Sequence, residues 1–432
     1  MSLINQLPRL SAYDPGAFGE GGLDPMGSGA VADRIANRLA PGLRARMGQP
    51  HFATISTIGA FACQTLRDLP CVDGKTTADI AFEWLVVESM VRSPIEGNKD
   101  GFPGNQKAMR ARAVNERLSR RNYLSGPRVF GFTGVYRPFS RDIAVLTNDD
   151  LPAENAVRLV SAWERDHLLP GFVDGIASKA GGRLRRGITD VCKRTLERGE
   201  CAAPVAGTLM PELAKYLATR NAGIHERSVL RQLICSGSHE IRNELAAKIV
   251  KGASFVANVS QRDLALQLMP GMSTPTRAAL KAAIDYETVT TAIDNAFRRF
   301  LAHTTQQHGA VIGRTGALET PGLAALAPRV GVLAQCALDS VCALDDTSLA
   351  NDAMQMLQSF ARNFTAAEFF DVLLERHEHV QTRRNKLSWI DRIDDEWTVR
   401  TPYRSQSGQL DDNAWTHPMR LTTLAAFLAE TA

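Results

Sequence analysis

Seven cations crowd one short stretch of this chain: Lys107, Arg110, Arg112, Arg117, Arg120, Arg121 and Arg128, against the single acid Glu116. Guanidinium groups at that density suit phosphate and carboxylate recognition, because each presents paired N–H donors that match two oxygens at once. Over the full 432 residues, 50 Lys and Arg face 46 Asp and Glu, a formal charge of only +4. A generally basic protein is thereby excluded, and any polyanion contact must come from a local patch. Residues 105–128 supply one, with an excess of six positive charges, and Arg137 and Arg141 follow closely. Arg outnumbers Lys by 40 to 10 across the chain, a bias that a GC-rich genome also produces.

Catalytic constellations are scarcer. Arg220, Asn221 and His225 match the Arg-Asn-x-x-x-His pattern of HEPN ribonucleases, in which Arg and His share one helical face around a scissile phosphate. Gly223 weakens the helix that must carry the pair, so an ordinary helix end is the preferred reading and a HEPN-like ribonuclease the alternative. Glu375, His377, Glu378 and His379 form the densest set of possible metal ligands, but neighbours on a helix diverge and cannot converge on one ion. His377 falls on the apolar side of its helix and reads as a core histidine. Asp391, Asp394, Asp395 and Glu396 lie in a short polar link and read as a solvated turn. No nucleophile elbow, Walker loop or His-Glu-x-x-His motif is present. The expectation is a non-enzymatic protein with no cofactor and no metal. Seven cysteines, odd in number and without a C-x-x-C pair, read as reduced thiols, mostly buried. Met1 to Arg9 has no signal-peptide pattern, and no run approaches about 18 uninterrupted apolar residues, so a cytoplasmic protein without membrane contact is expected.

Helices must position most of these residues. The turn-rich segment Asp14 to Gly29 leads into a helix with Val31, Ile35, Leu39 and Leu43 at helical spacing. Residues 52–70, and a second stretch with Ile80, Phe82, Leu85, Val86 and Val91, are apolar enough to be core. A basic helix is expected over Asn105 to Asn122. Val129 to Tyr136 and Ile143 to Leu146, β-branched and aromatic, then predict a β-hairpin. Buried helix, basic helix and hairpin is the order of a winged helix-turn-helix, with the basic helix in the major groove of double-stranded DNA and Arg137 and Arg141 near the wing tip.

From Leu151 to Arg362 the chain predicts a succession of helices without a fixed repeat, in which Lys179, Arg183, Arg185 and Arg186 fall in a Gly-interrupted loop. A capping box, Thr365 to Glu368, starts a further helix. Trp389, Trp397 and Trp415 mark a tail packed on this chain or on a partner protein. The fold class is thus mainly α: a winged-helix-like N-terminal region (about 75–148, within 1–148), an irregular helical array (149–362), and a C-terminal helix with a Trp-rich tail (363–432).

Three segments, Gly22-Leu23-Asp24-Pro25-Met26-Gly27 leading to Leu39-Ala40-Pro41-Gly42-Leu43, Phe130 to Pro138, and Arg384-Asn385-Lys386-Leu387-Ser388-Trp389, resemble uncharacterised helical accessory proteins of bacterial anti-phage defence islands. The resemblance implies a binding or scaffold subunit working beside a separately encoded ATPase, helicase or nuclease, with DNA and other defence proteins as partners. A protein–protein scaffold without nucleic-acid contact is the alternative.

Overall fold

The computed structural model describes residues 24–93, 101–218, 220, 222–252, 259–404 and 410–432. The turn-rich stretch 14–23 and Asn221 lie outside them. The chain divides into two compact units, Met1–Leu39 with Ala257–Leu421, and Ala40–Val256 with Thr422–Ala432. This differs from the sequential division at 148 and 362, because the chain leaves the first unit early and re-enters it late.

The first unit opens with α1 (Gly29–Leu39). Ten helices of the second follow: α2 (His51–Cys63), α3 (Ala78–Arg92), α4 (Asn105–Ala113), α5 (Pro127–Phe130), α6 (Phe132–Asp142), α7 (Ala156–His167), α8 (Ala180–Arg198), α9 (Leu209–Tyr216), α10 (Ile224–Cys235) and α11 (Glu240–Lys251). The chain returns to the first unit through α12 (Gln261–Leu268), α13 (Thr274–Gln306), β1 (Val311–Gly313), α14 (Arg314–Leu318), α15 (Leu323–Cys342), α16 (Thr347–Leu357), α17 (Ala366–Arg383), β2 (Ile390–Ile393) and β3 (Glu396–Val399). α18 (Leu421–Glu430) ends the chain, in the second unit from Thr422 onward. The protein is mainly helical, with one small three-stranded sheet among the described residues.

In the first unit, the 33-residue α13 starts where Pro275 is harmless and the Ser273 hydroxyl accepts from the Thr276 N–H. It packs on α1 and α15. α15 is long and apolar enough to cross a membrane, but Ala327, Val330, Ala334, Ala337 and Val341 form the buried stripe of a core helix. α17 has the capping box expected, with Thr365 and Glu368 bonding each other's backbone. The sheet order is β1-β3-β2, all antiparallel, with Ile312 opposite Trp397 and Ile390 opposite Val399. The acidic run 391–396 is the β2–β3 hairpin, where Asp394 takes the left-handed conformation (φ 55°) that Asp tolerates in tight turns.

In the second unit, α2 and α3 are apolar nearly all round and therefore central: α6, α7 and α8 pack on α2, and α4, α6, α8 and α9 on α3. Gly59 lets these two helices approach, since a Cβ there would lie 2.5 Å from the Phe82 ring. Phe52, Phe102, Phe132 and Tyr136 fill the space beside them. Four cysteines, Cys63, Cys71, Cys192 and Cys201, are buried thiols here, whereas Cys336 and Cys342 of the first unit are exposed.

Three local expectations are corrected. The β-hairpin expected over 129–146 is not formed: α5 and α6 occupy the chain up to Asp142, and 143–146 is a turn in which Leu146 makes an isolated bridge to Pro152, so the winged-helix arrangement is absent. Phe132, Val135, Tyr136 and Phe139 are buried at spacings of three and four residues, and that period outweighs the strand propensity of β-branched and aromatic types. The basic helix stops at Ala113 rather than Asn122. Asn115 adopts φ 55°, and the Glu116 and Asn115 N–H groups bond the carbonyls of Ala111 (2.8 Å) and Arg112 (3.0 Å), a Schellman stop. Finally, Arg183, Arg185 and Arg186 lie on α8 rather than in a loop, because Gly181 and Gly182 serve close packing: a Cβ at Gly181 would sit 2.1 Å from the Leu169 carbonyl oxygen.

Candidate functional site

The site is built outward from α3, an apolar helix with two acids in its interior, Glu83 and Glu88, both fully buried. Carboxylates so placed must find donors, and they find them in the cationic stretch. Glu83 accepts from the Tyr123 hydroxyl (2.8 Å) and the Thr133 N–H (3.0 Å). Burial pushes its carboxyl up to about 7, against the pull of those donors. Glu88 accepts from Arg92 Nε (3.0 Å), Arg117 Nε (2.8 Å) and the Leu118 N–H (2.6 Å). Together the two acids staple residues 117–133 to the helix. Neither stands out in the sequence reading, although acids placed within an otherwise apolar helix are a legible signal for buried partners.

The nine predicted contact residues divide by where their charge goes. Arg117 turns inward, to Glu88 and to the Ala203 carbonyl (2.7 Å). Arg137 pairs with Asp79 and Asp150 at 3.1 Å each, and Arg141 with Asp150 at 2.9 Å, so both are held on α6 instead of at a wing tip. Arg121 is exposed beside Glu116 at 3.0 Å. Arg112 is exposed and donates to the Val91 carbonyl. Arg128, also exposed, donates to the Thr77 hydroxyl at 3.2 Å. Lys107, Arg110 and Arg120 are exposed and have no acid within ion-pair distance among the described residues.

Two cavities flank the first turn of α3. One, of about 260 Å³, is lined by Lys75, Arg120 and Arg128, by Thr76 and Ser125, and by Trp84; no acid lines it. Trp84 is 1% exposed, and its buried indole N–H has no acceptor. The other, of about 240 Å³, shares Arg128 but carries both signs, with Arg67 and Asp149 paired at 3.6 Å across from Asp79 and Asp150. No sequence signal joins Lys75 and Trp84 to Ser125, since they come from two stretches, 75–84 and 120–128.

The remaining candidates separate. Arg220 precedes α10, which begins at Ile224, so Arg220 and His225 do not share one helical face. His225 Nδ1 lies 2.6 Å from Asp166 Oδ1, and Asp166 also accepts the first N–H groups of α10. Asp166 is thus a capping acid, its carboxyl held below the usual range by these donors despite some burial. Glu226 and His51 form a buried pair at 2.6 Å. Trp389 and Trp397 are buried in the first unit, Trp389 stacked on Tyr403 and Trp397 edge-on to Phe370; Trp415 is half-buried. His377 is a core histidine, and no cluster of three metal-ligating side chains occurs among the described residues.

No protein-family model matches this chain, and neither the curated proteins nor the solved structures provide a match.

Proposed function

We propose that the protein is a non-enzymatic nucleic-acid-binding subunit that grips the phosphate backbone of double-stranded DNA through Lys107, Arg110, Arg112, Arg120, Arg121 and Arg128. In keeping with the resemblance of its sequence, it acts in the cytoplasm beside a separately encoded ATPase, helicase or nuclease of a bacterial anti-phage defence complex. One observation carries the reading: with Arg117, Arg137 and Arg141 neutralised internally, Lys107, Arg110 and Arg120 remain exposed with no acid partner among the described residues. Without a wing or a long recognition helix, the contact is to phosphates and carries little sequence preference. Binding of the full chain to a DNA duplex should fall steeply with salt. Arg110→Gln with Arg120→Gln should lower the slope of log affinity against log salt by about 2, one per phosphate contact, alike on unrelated sequences. An affinity indifferent to salt, or unchanged in the double variant, refutes the reading.

A further inference from the structure

Three of the four buried thiols of the second unit lie together. Cys63 closes α2, Cys192 sits on α8, and Cys201 follows α8. The two helices are pinned at this point, because the Thr189 hydroxyl of α8 donates at 2.7 Å to the carbonyl of Ala62, the residue before Cys63. Cys192 is three residues beyond Thr189 and so shares its face of α8. Its buried thiol lies against that of Cys63; this contact first, and burial second, push its pKa well above the ordinary thiol range. Cys201 comes near the pair, but its sulfur accepts from Arg117 Nη2 at 3.5 Å. No three metal-ligating side chains converge among the described residues, so the thiols do not make an ion site.

The paired thiols differ in access. Cys63 is 7% exposed and lines the cavity of about 240 Å³ beside Gln64 and Arg67, whereas Cys192 is fully buried and does not line it. Cys63 Sγ donates to the Ala78 carbonyl at 3.6 Å, a weak bond that oxidation at sulfur can replace. A thiol at a cavity wall with a second thiol against it suits redox chemistry: the outer sulfur meets the oxidant, and the inner one resolves it. Burial keeps the inner thiol protonated and shielded, which fixes the order of events.

We propose that Cys63 and Cys192 form a reversible disulfide when a hydroperoxide enters the cavity. The Cys63 sulfur attacks one oxygen of hydrogen peroxide, the O–O bond breaks, and Cys63 becomes a sulfenic acid as water leaves. The Cys192 sulfur then bonds to the Cys63 sulfur and expels the second oxygen as water. Two thiols give up two electrons and two protons, and the peroxide is reduced to two waters. A dithiol reverses the step by taking up the disulfide itself. Transient, redox-sensing bridges of this kind are the form in which disulfides occur in reducing compartments. The inference is independent of the nucleic-acid reading above.

The full chain carrying Cys336→Ser and Cys342→Ser, which removes the two exposed thiols, is treated with a small excess of hydrogen peroxide. It is then alkylated, digested without reductant and weighed by mass spectrometry. Two free thiols per chain should be lost, and the peptides holding Cys63 and Cys192 should be recovered as one species about 2 Da lighter than their sum, separated again by dithiothreitol. Cys192→Ser should leave Cys63 as a sulfenic acid that dimedone traps, and Cys63→Ser should leave Cys192 unmodified at the same dose. Should either core variant fold poorly, the linkage in the parent chain decides alone, with circular dichroism recording that the chain stays folded during oxidation. Both thiols recovered free, Cys63 oxidised without linkage, Cys192 joined to Cys201 instead, or a linkage formed only after denaturation overturns the proposal.

Discussion

His377 in the first unit and Trp84 in the second are both buried rings bearing an N–H, and their surroundings are opposite. His377 Nδ1 donates to the Pro25 carbonyl at 3.0 Å, and its Nε2 accepts the Trp389 N–H at 3.0 Å. Its ring packs on Phe297 with centroids 4.4 Å apart, and burial drives its pKa down to about 4. Every polar atom of that ring is satisfied, so the residue is structural. Trp84 lines a cavity together with Lys75, Arg120 and Arg128, and its own buried N–H has no partner in the structure. Where a packed core completes its own hydrogen bonds, chemistry-bearing residue types serve stability. Where cations line a cavity that no acid lines, their charge is not consumed inside the fold.

The largest expected effect tests whether the inward cations of the second unit are structural. Glu88→Ala strands Arg92, Arg117 and the Leu118 N–H, and should destabilise by roughly 3–5 kcal/mol in denaturant melts. A cost near zero would place Arg117 among the available cations and blur the contrast. His377→Phe keeps a ring but orphans the Pro25 carbonyl and the Trp389 N–H, with an expected loss of roughly 2–3 kcal/mol. A neutral result would mean that the two hydrogen bonds of His377 add no net stability.

These two buried groups, His377 and Glu83, should also answer pH with opposite signs. His377 has a folded pKa of about 4 against an ordinary 6.5. Its contribution is fully present above 6.5 and is lost as pH falls from there toward 4. Glu83 has a folded pKa of about 7 against an ordinary 4.5. The folded second unit holds a proton that the unfolded chain releases, so this contribution is present below 4.5 and lost as pH rises to about 7. In melts across pH 4 to 7.5, His377→Phe should flatten the part of the stability profile that rises with pH, and Glu83→Gln the part that falls. A change of slope in the same direction from both substitutions would sink the assignment. The smallest effect is that of Arg121→Ala, which breaks an exposed pair with Glu116 and should change stability by less than about 0.5 kcal/mol. A larger loss would mean that even this outward cation is structural.

Short-range features were legible in the residues. The capping box at Thr365, the Pro275 start of α13, the core character of α2 and α3 and the buried setting of His377 all depend on neighbours within a turn or two. Two further local signals prevailed over the strand and long-helix expectations. The spacing of Phe132, Val135, Tyr136 and Phe139 is helical, and Asn115 is a competent helix stop. The fate of each charge was not legible. Arg117 and Arg120 are three residues apart in one basic run, yet one is consumed by Glu88 and the other lines a cavity.

By itself, then, the amino-acid sequence determined a mainly helical protein, nearly neutral overall, with its positive charge concentrated at 105–128. Tertiary structure alone decided which of those cations keep their charge available. Helical period and capping are written in adjacent residues. Neutralisation of an arginine depends on an acid 29 positions away, and a cavity on side chains from two stretches that meet only when the chain folds.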